Sequence, residues 1–386
     1  MAALLRSLQD SQLVARFQRR CGLFPAPEPG AVPEARHLLA AESKGGGGPP
    51  SGLRRASALQ ANGQKYIVKN YFYYYLFRFS AALGQEVFYI TFLPFTHWNI
   101  DPYLSRRLVL IWVLVMYVGQ VAKDILKWPR PSSPPVVKLE KRVMAEFGMP
   151  STHAMAATAI SFTLLISTKD RYQYPFVLGL TMAVVSSTLV CLSRLYTGMH
   201  TVLDVLGGVL ITALLIVLTY PAWTHIDCLD SASPLFLVWI IIVPFILCYN
   251  YPVSECYSPT RADTTTIMAA GTGMIVGFWI NHFFHIISEP TEPLPVIQNI
   301  LPLSTDRLVL GLTKFTVGIV LILLVRQLVQ SLSLQVLFSW FKVVTRNKEA
   351  RQRLEIEVPY KFVTYTSVGI CATTFVPMLH KFLGLL

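Results

Sequence analysis

Lys123-Asp-Ile-Leu-Lys-Trp-Pro-Arg130-Pro131, Pro150-Ser151-Thr152-His153 and Ser193-Arg194-Leu-Tyr-Thr-Gly-Met-His200-Thr-Val-Leu-Asp204 are three pieces of one stretch. Their setting decides the fold. Each piece lies where an apolar run begins or ends. Among their side chains are three cations (Lys123, Arg130 and Arg194), two histidines (His153 and His200), one carboxylate (Asp204) and one serine (Ser151) that suit one site. Lys123 and Arg130 follow an apolar run, and Ser151 and His153 precede the next. Arg194 follows a further run, and His200 precedes the one after it. With short reversing loops between antiparallel helices, all three pieces emerge on one face of a membrane.

Outward from that stretch, the chain is scaffold. Of 386 residues 53% are hydrophobic and only 14% charged, against roughly 25% charged in soluble domains. This composition predicts an all-α polytopic membrane protein. Spans of roughly 20 residues each account for most of the length, and we count about nine: near 76–97, 108–126, 154–168, 176–193, 203–220, 235–251, 265–288, 308–331 and 362–386. The first is interrupted by Gln85 and Glu86, and the third is short. The formal charge of +12 gathers in the N-terminal tail, near the three-piece stretch and before the last span. It favours anionic headgroups or phosphate substrates over nucleic acid, since no folded polar domain is present to read bases. The six cysteines are scattered with no CxxC spacing, which argues against a zinc site or a disulfide framework.

Three regions follow. Residues 1–65 read as a disordered basic tail holding a Gly/Pro-rich linker, Gly45 to Gly52. Within it Leu4, Leu5, Leu8, Leu13, Val14 and Phe17 alternate with Arg6, Arg16, Arg19 and Arg20, a pattern open to a membrane-surface helix or a solvated tail. Residues 66–222 hold the three pieces and the core bundle. Residues 223–386 add further spans, with a charged loop at Arg351 to Glu357 and a candidate interfacial helix at Phe338 to Val344. Tyr71 to Tyr75 read as an interfacial aromatic belt.

The chemistry of the three pieces suits cutting a phosphate ester. A phosphate dianion needs cationic donors where charge builds in the transition state, and Lys123, Arg130 and Arg194 supply them, arginine with a planar fork. Ser151 is placed to cap a helix and add a hydroxyl, and free N–H groups at helix starts favour an anion. His200 and Asp204 are one helical turn apart and share a face. Asp204 is expected to hold one imidazole nitrogen as N–H and leave the other to attack phosphorus. His153 then protonates the leaving alkoxide and later activates water. With the cations doing the electrostatic work, this route requires no metal or other cofactor.

The pattern Lys123-x6-Arg130-Pro131, Pro150-Ser151-x-His153, Ser193-Arg194-x5-His200-x3-Asp204 resembles the type 2 phosphatidic acid phosphatase (PAP2) superfamily, which includes lipid phosphatases, glucose-6-phosphatase and vanadium haloperoxidases. The resemblance implies a PAP2-type core helical bundle with additional C-terminal transmembrane helices. It implies that Lys123, Arg130, Ser151 and Arg194 hold phosphate, that His153 is the acid, that His200 is the nucleophile, and that Asp204 orients it. Many members have glycine between the serine and the histidine; here Thr152 stands there, and its side chain is expected to crowd the phosphate loop and narrow substrate choice. Thr152, the Pro129-Arg130-Pro131-Ser-Ser-Pro-Pro run and the lead-in Glu146-Phe147-Gly148-Met149 resemble the sphingosine-1-phosphate phosphatases. That resemblance implies dephosphorylation of sphingosine 1-phosphate and related long-chain base phosphates in the endoplasmic reticulum membrane.

Two other readings stand beside it. One is a sister phosphatase acting on a sugar, isoprenoid or glycerolipid phosphate; an apolar lateral entrance between spans would favour the sphingoid substrate, and a closed polar cup the sugar. The other is a non-catalytic transporter, drawn from Asn281, His282, His285 and Lys314 in the later spans. An intact His153, His200 and Asp204 argues against it. Glu86, a carboxylate in the first span, is a candidate for recognising a sphingoid amine. Orientation is in conflict: about nine spans put the tail, the site and the Lys342–Arg353 loop on one side, which the positive-inside rule makes cytosolic, whereas the resemblance implies a luminal site.

Overall fold

The computed structural model describes residues 2–26, 59–61, 64–140, 146–169, 171–227, 233–252, 259–286, 298–299, 304–342 and 348–385. The described part is overwhelmingly helical. Helices α1 (Ala2–Gln9) and α2 (Ser11–Arg20) lead into a small antiparallel sheet of order β1-β3-β2, from Leu23–Pro25, Leu59–Ala61 and Gln64–Val68. Then come α3 (Tyr71–Leu83), α4 (Glu86–Asn99), α5 (Pro102–Leu126), α6 (Thr152–Thr168), α7 (Phe176–Tyr196) and α8 (Val202–Thr219). The C-terminal half contributes α9 (Pro234–Tyr249), α10 (Pro259–Phe283), α11 (Thr305–Phe341), α12 (Leu354–Ile370) and, after a π-helical turn at Cys371–Phe375, α13 (Val376–Phe382).

Among the described residues, five segments are long and apolar enough to cross a membrane by length and composition: Pro102–Leu126, Phe176–Tyr196, Val202–His225, Thr305–Phe341 and Leu354–Phe382. The chain is a multi-pass membrane protein. Helices α6 and α9 are apolar but shorter. The interruption expected at Gln85 and Glu86 is where the chain breaks: Gly84 caps α3 and Gln85 starts α4. Phe338 to Phe341 continue α11 and do not begin a separate helix.

Local chemistry sets the boundaries. Asp101 caps α5 by accepting from the Tyr103 N–H, with Pro102 in the first turn, where a missing N–H costs nothing. Lys127 ends that helix in the left-handed region at φ 53°. Thr201 and Asp204 form a capping box at the start of α8, which satisfies two otherwise orphaned N–H groups. Many apolar side chains on α7, α8, α9 and α11 are exposed, among them Leu210, Leu235 and Leu324; in a membrane they face acyl chains rather than water.

Helix α10 lies at the heart of the C-terminal half, packed on α5, α9 and α12. A Cβ on Gly273 would sit 2.1 Å from the Thr366 carbonyl oxygen, so only glycine permits this approach, as small residues do in lipid-embedded bundles. Asn281, a candidate for a transport path, donates to the Thr373 carbonyl at 2.9 Å and acts as helix-to-helix glue.

Residues 2–26, placed by sequence within the disordered tail, are folded onto the bundle. Val14 and Ala15 are buried in a cluster with Val136, Leu195 and Val205. Gln18, 1% exposed, donates to the carbonyls of Val137 (2.7 Å) and Tyr196 (2.8 Å) and accepts from the Val137 N–H (3.0 Å). The amphipathic pattern of α2 is thus spent on protein. The Gly45 to Gly52 linker lies outside the described residues. Tyr196 ends α7 close to Arg194, so the N-terminal helices dock at the same end of the bundle as the three-piece stretch.

Candidate active site

Four helix ends converge. Lys123 stands in the last turn of α5, and Arg130 follows it. Ser151 is the N-cap of α6, with Thr152 and His153 in its first turn. Arg194 lies in the last turn of α7, and His200 and Thr201 lead into α8. The seven sequence-predicted side chains meet at this one end. Lys123, Arg194, His200 and Asp204 are each 1–2% exposed and Ser151 is fully buried.

The donors are arranged unequally. Lys123 Nζ donates to Glu146 Oε2 at 3.0 Å and to Thr152 Oγ1 at 3.1 Å. Arg130 uses Nε and Nη1 to tie two loops together, at the carbonyls of Glu146 (2.8 Å) and Met199 (3.1 Å), and turns Nη2 toward Glu146 Oε2 at 3.4 Å. Arg194 Nη2 donates to Glu140 Oε1 at 2.7 Å and to Thr197 Oγ1 at 3.1 Å. Among the described residues its Nε and Nη1 have no hydrogen-bond partner, nor has Ser151 Oγ. Buried polar atoms left unpaired cost free energy, so these three are poised for a ligand that accepts hydrogen bonds.

His200 Nδ1 lies 2.9 Å from the Gly148 carbonyl oxygen. A carbonyl only accepts, so Nδ1 carries the proton and Nε2 keeps a free lone pair. Asp204 Oδ2 stands 3.8 Å from Nδ1. Its closer partner is the Thr201 N–H at 2.7 Å, while the Thr201 hydroxyl accepts from the Asp204 N–H at 3.3 Å. The Asp204 carbonyl accepts from the Ser151 N–H at 3.1 Å, which ties the start of α8 to the start of α6. The direct partner of the imidazole is therefore a backbone carbonyl, with the Asp204 carboxylate as a nearby countercharge.

Burial, and then the charges of Arg130, Lys123 and Arg194, push the His200 pKa well below the ordinary imidazole value; the Gly148 contact opposes this. The imidazole is neutral at neutral pH, as a nucleophile must be. Burial also draws Arg130 down to about 10, against the pull of Glu146, so it stays cationic. His153 packs beside the α3–α4 break: a Cβ on Gly84 would lie 3.3 Å from His153 Cδ2 and 3.1 Å from Val190 Cγ1.

Sequence reading missed Glu140, Glu146 and the Gly148 carbonyl. The available signal was thin: Glu140 and Glu146 are the acidic residues between Arg130 and Ser151. Thr152, expected to crowd the site, tethers Lys123 through its hydroxyl. Glu86 heads α4, and its side chain lies outside the described residues.

Below the site an apolar cavity of about 550 Å³ runs between α4, α6 and α7, lined by Tyr89, Phe92, Ile160, Leu164, Met182 and Val190 among others.

Convergent cations around a buried neutral histidine, at the ends of membrane helices, define a PAP2-type site, and a family model described as the PAP2 superfamily matches residues 105–226. Over their full lengths the chain is 82% identical to the human protein named sphingosine-1-phosphate phosphatase 2 and 78% identical to its mouse counterpart. It is 36% identical to rat sphingosine-1-phosphate phosphatase 1, over all of this chain and 98% of that one. No solved structure matches. The chain belongs to the sphingosine-1-phosphate phosphatase family of the PAP2 superfamily.

Proposed function

We propose that this protein hydrolyses sphingosine 1-phosphate and related long-chain base phosphates to the free base and phosphate through a phosphohistidine at His200. The observation that carries the chemistry is the set of buried unpaired donors, Arg194 Nε and Nη1 with Ser151 Oγ, beside an imidazole whose Nδ1–H is fixed by Gly148. The phosphate accepts from those donors. Lys123 and Arg130 complete the cradle once the phosphate displaces the Glu146 carboxylate. Nε2 of His200 attacks phosphorus, the P–O ester bond breaks, and the electron pair leaves on the alkoxide, which takes a proton from His153, present at this step as the imidazolium beside the bound phosphate dianion. Neutral His153 then takes a proton from water, whose oxygen attacks phosphorus and breaks the P–N bond. His200 is regenerated with inorganic phosphate as the second product. Asp204 steadies the cationic imidazole ring while it carries the phosphoryl group.

The apolar cavity supports a lipid over a sugar phosphate as substrate, and the names of the full-length relatives support a sphingoid one. We place the catalytic core at 66–222, preceded by the basic N-terminal region (1–65) and followed by the added helices of 223–386. We place the protein in the endoplasmic reticulum membrane with about nine spans and a luminal site, the N-terminal helices on the same side as that site.

The test is phosphate release from sphingosine 1-phosphate by detergent-purified protein in EDTA, wild type beside His200→Ala. Release by the wild type that vanishes in the variant supports the reading. Release that survives His200→Ala overturns the nucleophile. No release by the wild type, with turnover of phosphatidic acid or glucose 6-phosphate instead, moves the assignment to a sister specificity.

A further inference from the structure

Two half-buried carboxylates beside these cations take no part in the hydrolytic chemistry, and they behave differently. Glu146 pairs with Lys123 and Arg130, the cations a phosphate needs, so it yields its place on substrate binding. Glu140 holds only one arm of Arg194, Nη2, at 2.7 Å. Arg194 Nε and Nη1 stay available. A phosphate taking those two donors leaves Glu140 where it is, beside the bound anion.

The apolar cavity reaches to within one helical turn of the same arginine. Val190 lines it and lies one helical turn before Arg194, on the same face of α7. Tyr89, also in its wall, lies within electrostatic reach of Arg194. His153 lies at the same corner, since a Cβ on Gly84 would meet both its ring and the Val190 side chain. Cationic pocket, carboxylate and apolar cavity therefore adjoin at Arg194. A sphingoid base phosphate carries the complementary groups: phosphate on the first carbon, ammonium on the next, and a long hydrocarbon chain beyond.

We propose that Glu140 is the specificity-determining residue that receives the substrate ammonium, an inference that rests on the sphingoid-phosphate reading above. Its effect has two parts. With an ammonium present, the carboxylate gains a charge-assisted hydrogen bond beside the phosphate. With a phosphate lacking the amine, the same carboxylate faces an anion and repels it. Discrimination thus comes from attraction of the correct substrate and repulsion of the wrong one. An Arg194-positioning role alone would affect both substrates equally.

The experiment compares kcat/KM for sphingosine 1-phosphate and for octadecyl phosphate, which has no amine, using the full chain in detergent. Wild type should favour the amine-bearing substrate by at least about tenfold, the scale of one hydrogen bond to a charged group. Glu140→Gln should erase most of that preference, chiefly through a raised KM for sphingosine 1-phosphate, with a smaller loss on octadecyl phosphate from the loosened Arg194. Glu140→Asp should retain part of the preference. Equal losses on both substrates in Glu140→Gln, or an unchanged preference, would overturn the inference. Should Glu140→Gln not fold, the wild type still decides, since equal kcat/KM on the two substrates overturns the proposal. A wild type inactive on sphingosine 1-phosphate defeats the substrate reading itself, which is a different outcome from an active enzyme with no amine preference.

Discussion

The Nδ1 of His200 faces the carbonyl oxygen of Gly148 at 2.9 Å, closer than the Asp204 carboxylate at 3.8 Å. The tautomer that leaves Nε2 free is thus set by a backbone group on the segment entering α6. In triads where a carboxylate alone fixes the tautomer, its amide replacement costs about 10⁴ in kcat. Here Asp204→Asn should cost less, roughly 10- to 100-fold, because Gly148 keeps the tautomer while the countercharge is lost. Steady-state kcat measured beside an inactive His200→Ala checks this.

Gly148 has little room for change. A Cβ there would lie 3.0 Å from the Pro129 carbonyl oxygen and 3.2 Å from Asp204 Oδ2. Gly148→Ala should displace the carbonyl that holds His200, lowering kcat by roughly 10- to 100-fold with a smaller change in KM, since a misplacement of about 1 Å costs up to about 100-fold. A kcat equal to wild type would show that the carbonyl contact does not position the imidazole.

Arg194 presents two unpaired donors in a fixed planar fork. Arg194→Lys keeps the charge and loses the fork. With charged hydrogen bonds worth about 1.5–3 kcal/mol each, kcat/KM should fall by roughly 10- to 100-fold, and inhibition by orthovanadate should weaken in parallel. Full activity in Arg194→Lys would mean that charge alone suffices.

The depressed His200 pKa has a pH signature. Its imidazole stays neutral as pH falls through 6.5, so the acid limb of kcat assigned to the nucleophile should lie well below pH 6.5. The stability effect has the matching sign. Unfolded histidine takes up a proton near 6.5 and the folded group does not. Stability from this site is therefore complete above that pH and declines as pH drops toward the folded value. Activity profiles and melting temperatures between pH 5 and 8, wild type against His200→Ala, check both.

Gln18 links the N-terminal helices to the site end through three hydrogen bonds. Gln18→Ala leaves the Val137 and Tyr196 carbonyls and the Val137 N–H unmatched in a buried setting, at about 1–3 kcal/mol per stranded group. We expect a lowered melting temperature and a loop over 131–139 more open to proteolysis. An accessible cysteine introduced near Arg6 and one beside the loop should label from the same side of the membrane; labelling from opposite sides would contradict the docking of α2.

The break between α3 and α4 was legible because Gln85 and Glu86 interrupt an apolar run, and the sharing of one end by Lys123, Ser151, Arg194 and His200 followed from counting reversals. Residues 2–26 were misread because leucine and arginine alternating along a short helix look the same whether the apolar side meets lipid or protein. Of the roughly nine spans expected, five described segments have the length and hydropathy of a full crossing, and α6 and α9 are apolar but shorter.

The sequence by itself determined that this is a helical membrane protein with a phosphate-handling site, because apolar run length and the spacing of Lys123, Arg130, Ser151, His153, Arg194, His200 and Asp204 are local properties of the chain. Only the tertiary structure decided which group holds His200, which arms of Arg194 are spare, and that Glu140 and Glu146 come to lie among the cations. Those are contacts between segments far apart in the chain, fixed by helix packing and loop geometry at distances of about 3 Å, a scale that no residue spacing encodes.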